Sequence, residues 1–197
     1  AGPGDRGPLG LDVIAEVARP RGIPILVDAA AERLTIPNIH LQRGATMVAY
    51  SGGKCLRGPQ CAGLLLGPKN LLQAAFLNSA PHHSFGRSMK VGKEEIMGML
   101  AAVEAWVRRD HKAEWEQWES WLEHIAERVR RVEGVETELL YPESLSNHAP
   151  RLRISWDGTK LGIWGQAVEK LLVDGDPRIV LAGSTGTARE PARSSVT

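Results

Sequence analysis

The sequence predicts an α/β fold followed by a small α+β domain. Two short apolar runs, Ile23–Val27 and Thr46–Tyr50, have the composition of strands buried on both faces. Each ends in polar groups: Asp28 after the first, Ser51 and Lys54 after the second. Two long amphipathic helical patterns follow, Gly92–Asp110 and Lys112–Val132. Beyond them, Val135–Tyr141 and Arg151–Trp156 alternate with the period of half-buried strands.

Residues 1–8 are rich in turn formers, with Asp5 and Arg6 on a loop and Pro8 suited to a first helical turn. Leu9–Arg19 reads as a helix that presents Ile14, Val17 and Ala18 to the core and ends at Pro20 and Gly22. After the Asp28 strand, Arg33–Leu41 reads as a loop, and Glu32 and His40 face either structure or the cleft. Gly52 and Gly53 read as backbone free to approach a ligand with dihedrals closed to other residues. The GxxxxGK[ST] spacing of a nucleotide-binding loop is absent. Cys61–Gly67 reads as a third buried strand with Cys61 inside it, and Cys55 reads as packing.

Lys69–Leu77 reads as a short helix, and residues 78–91 show no period. His82 and His83 lack the carboxylate or thiol partners of a metal site. The first long helix carries a stripe at Ile96, Met99, Leu100, Val103, Trp106 and Val107. The second carries Trp118, Leu122, Ile125 and Val129, flanked by Trp115 and Trp121, and these tryptophans read as helix packing. Lys160–Val173 reads as a helix and Arg178–Leu181 as a strand. Gly183–Thr197 has no apolar period and reads as a disordered tail. The expected divisions are 1–110 for the large-domain part, 111–133 for a linking helix, 134–182 for the small domain and 183–197 for the tail.

The 197 residues carry a formal charge of +1, which gives no argument for nucleic acid or an anionic membrane as partner. No apolar run is long enough for a membrane helix, and no signal peptide is visible. Two cysteines make neither a disulfide framework nor a zinc site. A cytoplasmic protein is the plain expectation.

In an open parallel sheet, ligands bind beyond the carboxyl ends of the strands. Asp28 and Lys54, 26 positions apart, can therefore point into one cleft. A lysine amine can form a Schiff base with an aldehyde. A carboxylate can hold a pyridine nitrogen protonated. The pair suits pyridoxal 5'-phosphate, although many α/β proteins carry a strand-end Asp and a nearby Lys.

The strings VDAAAE (27–32) and YSGGKCLRGPQCAGLLLG (50–67) are far more specific. They resemble the fold-type I pyridoxal-phosphate enzymes, in the branch of selenocysteine synthase and of lyases acting on phosphorylated sugar amino acids. The resemblance runs from about Gly4 to Gly183. It implies part of the PLP-dependent transferase fold, a three-layer α/β/α large domain with a small domain after it. It also implies that Lys54 holds the cofactor, Asp28 meets the ring nitrogen, Ala30 lies against the ring and Ser51 reaches the phosphate. Arg87 and Lys90 would meet an anionic substrate or the cofactor phosphate. Arg153, or Arg151 on the same strand face, would bind the substrate carboxylate.

The implied activity is a lyase or transferase reaction on a β-substituted amino acid, free or phosphorylated, by α-proton abstraction and β-elimination. Transamination or decarboxylation would use the same lysine and aspartate, and a non-catalytic domain that kept them is a further alternative. Selenium transfer to seryl-tRNA ranks lower, because no basic RNA-docking domain is visible. The implied partners are a small-molecule substrate and further copies of the same chain, with no membrane and no nucleic acid. The family's glycine- and serine-rich phosphate loop and its ring-stacking residue lie upstream of the Asp28 strand and have no match here. Nor does the tail match the family's final strand and helix. The chain thus reads as a second half, expected to bind the cofactor poorly by itself.

Overall fold

The structure, a computed structural model, describes residues 9–185, 187 and 194–197. The turn-rich start with Asp5, Arg6 and Pro8 lies outside the described residues, as do 186 and 188–193 of the tail. The chain forms two compact units. One comprises the residues up to Arg109 together with Pro142–His148; the other comprises Asp110–Tyr141 and Ala149–Thr197.

The first unit is built on three strands, β1 (Leu26–Asp28), β2 (Met47–Ser51) and β3 (Gly63–Leu66). β1 runs parallel to β2, and β3 runs antiparallel to it. Successive side chains on a strand point to opposite faces. Val48 and Tyr50 are buried on one face, where Ala29, Leu34, Leu56, Met99 and Trp106 complete the core. Met47, Ala49 and Ser51 lie on the other.

Helix α1 (Leu11–Ala18) buries Ala15 and Ala18, while Ile14 and Val17 are exposed. This corrects the expected core face. The reason is distance: a Cβ added at Gly44 would stand 2.6 Å from the Cβ of Ala15. The helix approaches that turn too closely for larger side chains, so its small residues face inward.

The stretch expected as a loop after β1 contains a short helix, α2 (Ile39–Gln42). Asn38 caps it, its Oδ1 accepting from the Leu41 amide at 3.2 Å. The Asn38 Nδ2 donates to the Tyr50 hydroxyl at 2.8 Å inside the core. Removing one side chain would uncap a helix and strand a buried hydroxyl. Asn38→Ala is expected to cost about 1–2 kcal/mol in urea unfolding. An unchanged midpoint would show that neither bond contributes.

Cys61 is exposed, contrary to expectation, because the β3 ladder begins only at Gly63. Helix α3 spans Lys69–Leu77, as the sequence predicts. Residues 78–91 form turns closed by a Ser79–Gly86 bridge, with a short 3-10 helix at Arg87–Met89. The His82 ring packs edge-on against Phe76. Helix α4 (Lys93–Arg108) buries Met99, Ala102 and Trp106; Ile96, Leu100 and Val107 of the expected stripe are exposed.

The second unit opens with α5 (His111–Val129), capped by the Asp110 carboxylate, which accepts from the Lys112 and Ala113 amides. Trp115 stacks on Tyr141 and leans on Trp118, so these two tryptophans pack, while Trp121 is exposed. Strands β4 (Val135–Leu140) and β5 (Arg151–Trp156) pair antiparallel along their full lengths.

The expected helix at Lys160–Val173 is two helices, α6 (Gly158–Leu161) and α7 (Gly165–Asp174). Gly162 stops the first in the left-handed conformation, φ 68°. The Trp156 indole then donates to the Ile163 carbonyl at 2.8 Å. Arg178–Leu181 is not a strand; the Ile179 amide donates back to Leu172 at the end of α7. The tail instead supplies β6 (Ser184–Thr185) and β7 (Ser194–Val196), giving an antiparallel sheet of order β4-β5-β7-β6. Among the described residues, no helix is long and apolar enough to cross a membrane.

Candidate active site

Register brings the first group of candidates together. Asp28 pairs with Ala49, and neighbours paired on parallel strands share a face. Asp28, Ala49 and Ser51 therefore line the sheet face opposite the core. Leu26 on that face is 58% exposed, so the face is open in this unit. Beyond the strand the Ala29 amide extends the ladder to the Ala49 carbonyl at 2.9 Å. The Ala30 amide then donates to Asp28 Oδ1 at 3.0 Å, which fixes the carboxylate against its own turn. Two strand steps, about 6.6 Å, separate Ser51 from the position beside Asp28. Ala49 between them carries no bulk. The sequence reading missed Ala49, although its spacing of two from Ser51 was visible.

Lys54 stands exposed on a stapled turn just past β2. The Gly52 amide donates to Ala62 at 2.9 Å, Gly58 donates to the Gly52 carbonyl at 2.7 Å, and Arg57 donates to the Lys54 carbonyl at 3.0 Å. The glycines serve this closure. A Cβ at Gly52 would meet the Pro59 and Ala62 carbonyl oxygens at 2.6 and 2.7 Å, and one at Gly53 would collide with Gln60. Neither glycine has a positive φ, so the expectation of dihedrals closed to other residues is wrong. Arg57, not a glycine, takes the left-handed conformation here, φ 58°.

Segment Pro142–His148 belongs to this unit and lies along the chain that leaves Asp28. Ser146 bridges Glu32, with Arg33 donating to Leu145 and Asn147 donating to Ala31, both at 2.9 Å. Cys55, next to Lys54, directs its thiol to the Ala31 carbonyl at 3.6 Å. Burial pushes that thiol up from its ordinary value, against hydrogen bonding from the His148 backbone and the positive charges of Arg57 and Arg33. Cys55 is thus a packing residue, as expected. Only the thiolate attacks an alkylating agent. Iodoacetamide at pH 8 is expected to modify exposed Cys61 well before Cys55; the reverse order in peptide mapping would refute this burial. Glu32 and His40 pair with each other at 2.5 Å, with His40 buried, so both serve structure.

No protein-family profile matches the chain. It is 30% identical over 171 residues to a D-glucosaminate-6-phosphate ammonia lyase of Salmonella typhimurium, across 87% of this chain and 43% of that protein. It is 29% identical over 137 residues to a Streptomyces 5'-C-glycyluridine monooxygenase-decarboxylase, across 68% and 32% respectively. An L-seryl-tRNA(Sec) selenium transferase of Proteus mirabilis is 30% identical over 106 residues, across 48% and 21%. A solved D-glucosaminate-6-phosphate ammonia-lyase structure matches with a TM-score of 0.70 at 28% identity, over 95% of this chain and 47% of that one. The chain is homologous to fold-type I pyridoxal-phosphate enzymes of the selenocysteine synthase-like branch. It spans less than half the length of the curated relatives it matches.

The remaining candidates have distinct settings. Arg87 and Lys90 are exposed at the 3-10 helix of the first unit. Arg151 and Arg153 belong to the second unit, on the exposed face of β5. Glu138 of β4 holds the Arg153 guanidinium at 3.0 Å. The donor set at the strand ends fits the pyridoxal-phosphate group of the fold-type I enzymes: an acceptor at Asp28, a hydroxyl at Ser51, an amine on the adjoining turn and alanines between them.

Proposed function

We propose that this chain supplies the lysine and ring-nitrogen side of a pyridoxal-phosphate site in a lyase or transferase acting on a β-substituted amino acid. The observation that carries the reading is the placement of Asp28 and Ser51 on one open sheet face with the stapled Lys54 turn beside it. The 30% identity to a D-glucosaminate-6-phosphate ammonia lyase supports it. When bound, the cofactor would supply an electron sink for charge developing at the substrate α-carbon.

The chain's own residues have separate tasks in this reading. The Lys54 amine anchors the cofactor aldehyde, and once released takes the proton from the substrate α-carbon. The Asp28 carboxylate, already turned by the Ala30 amide, accepts a hydrogen bond from the protonated ring nitrogen. The Ser51 hydroxyl donates to the phosphate, and Ala30 and Ala49 leave room for the flat ring. The same reading assigns Arg87 and Lys90 to an anionic group, and Arg153 or Arg151 to the substrate carboxylate. The first unit is the cofactor-binding part and the second the small domain. A small-molecule substrate and self-association belong to the same proposal.

For a β-hydroxy amino acid the net outcome would be loss of the β-hydroxyl as water, then hydrolysis to a 2-keto acid and ammonia. A second reading, decarboxylation with the same cofactor, is favoured by the relative named as a monooxygenase-decarboxylase. The test is product analysis with free and phosphorylated β-hydroxy amino acids. Keto acid with equimolar ammonia is the expected result. Carbon dioxide with an amine product would favour the second reading, and turnover of none of the panel would count against both.

A further inference from the structure

Three successive carbonyls lead through the lysine turn, and they are held in two different ways. Gly52 accepts from the Gly58 amide at 2.7 Å, and Lys54 accepts from the Arg57 amide at 3.0 Å. Both donors are backbone groups, so side-chain changes leave them in place. The Gly53 carbonyl between them has no backbone donor among the described residues. Its donor is a side chain, the Nε2 of Gln60, at 3.3 Å.

The same side chain covers Gly53 itself. A Cβ at Gly53 would run into the Oε1 and Cδ of Gln60 and would stand 2.8 Å from the Gln60 Cα. The flat amide thus lies in the space that any other residue at 53 would fill. Gln60 is placed in turn by rigid neighbours. Pro59 has its φ fixed by its ring. It packs on α4, where a Cβ added at Gly98 would stand 2.9 Å from the Pro59 Cγ. The Pro59 carbonyl accepts from the Ala62 amide at 3.3 Å, next to the start of β3.

The Gly53 carbonyl lies in the peptide plane that carries the Lys54 amide, and the Lys54 carbonyl lies in the next plane. Arg57 holds the second plane and Gln60 holds the first. Two fixed planes set the direction in which the exposed Lys54 side chain leaves the backbone. We propose that Gln60 is a positioning residue for Lys54, clamping the Gly53–Lys54 peptide so that the amine is presented in one direction to the cofactor and substrate. This rests on the pyridoxal-phosphate reading above. Glutamine suits the task chemically. Its amide supplies a donor and stays neutral, whereas an ionised glutamate only accepts. A lysine could donate, but it would set a second positive charge beside the Lys54 amine.

The test uses the protein that carries this chain. Gln60→Ala is expected to melt like the parent, because the backbone bonds of the turn remain. Borohydride labelling of Lys54 with limiting pyridoxal phosphate should nevertheless slow about two- to tenfold, the worth of one neutral hydrogen bond. Without cofactor, amide hydrogen exchange across residues 52–58 should quicken by a similar factor. Gln73→Ala, at an exposed glutamine of α3, should change none of these. Gln60→Glu keeps the length and shape of the side chain. At neutral pH its carboxylate cannot donate, and labelling should be slow. Below about pH 5 the protonated carboxyl donates again, so the rate relative to the parent at the same pH should recover. A role in packing alone would show no such recovery. Parent-like labelling and exchange in Gln60→Ala, or a Gln60→Glu rate ratio that is flat with pH, would overturn the proposal. Should Gln60→Ala lose stability, the Gln60→Glu ratio decides. If the parent takes no label at Lys54, the cofactor reading fails instead, and the exchange measurement judges the clamp by itself.

Discussion

Lys54→Ala, in the protein that carries this chain, is expected to abolish covalent capture of pyridoxal phosphate and to lower turnover by about 10²–10⁴-fold or more. Two roles fall together in this one side chain. Among the described residues at the strand ends, the Lys54 amine is the group that can form a Schiff base with an aldehyde. It is also the base placed to move the α-proton. The turn that presents it is closed by four backbone hydrogen bonds within Gly52–Ala62, so alanine should leave the fold intact. Borohydride reduction followed by peptide mapping decides the matter. Label on the peptide containing Lys54 is expected in the parent, and none in the variant. Label on Lys69 or Lys90 would sink the assignment. Asp28→Asn should behave differently. It keeps shape and the Ala30 contact but loses the charge that stabilises a protonated ring nitrogen, so the cofactor should still attach while turnover falls.

Much of this was legible because it depends on local pattern. The β2 run, helix α3 and the alternation of β5 are set by periodicity and by Gly-Pro punctuation, and the structure reproduces them. The failures share a physical cause, since packing distance is not written in hydrophobicity. Helix α1 offers Ile14 and Val17 as its largest apolar residues, yet it buries Ala15 because Gly44 comes so near. In α4, Ile96 and Val107 match the stripe that buries Met99 and Trp106, yet both remain more than half exposed among the described residues. The Ser194–Val196 strand is invisible to any apolar period, because its place in the sheet comes from backbone hydrogen bonds to β5 and β6. At the site, Asp28, Ser51 and Lys54 were legible as polar residues ending apolar runs. Ala49 needed the β1–β2 register, and the Ser146 bridge to Glu32 needed the fold, since more than a hundred residues separate the two.

Gly52→Ala should have the second large effect, and it links packing to chemistry. The added methyl would sit 2.6 Å from the Pro59 carbonyl oxygen, 2.7 Å from that of Ala62 and 2.8 Å from the Met99 sulfur. A methionine side chain can swing aside. The carbonyls cannot move without breaking the turn, because Ala62 accepts from the Gly52 amide and Pro59 accepts from the Ala62 amide. Overpacking of this kind costs about 1–3 kcal/mol. Relief would come by pushing the 52–58 segment outward, and Lys54 with it. A displacement of order 1 Å at a reacting group can cost about a hundredfold in rate. The variant should therefore show a lower Tm and slower borohydride labelling at Lys54, even at temperatures where it is fully folded. Gly183→Ala is the matched control, since an added Cβ there meets nothing within 4 Å. Parent-like melting and labelling in Gly52→Ala would mean that the turn is not held by this contact, and that Lys54 owes its position to something else.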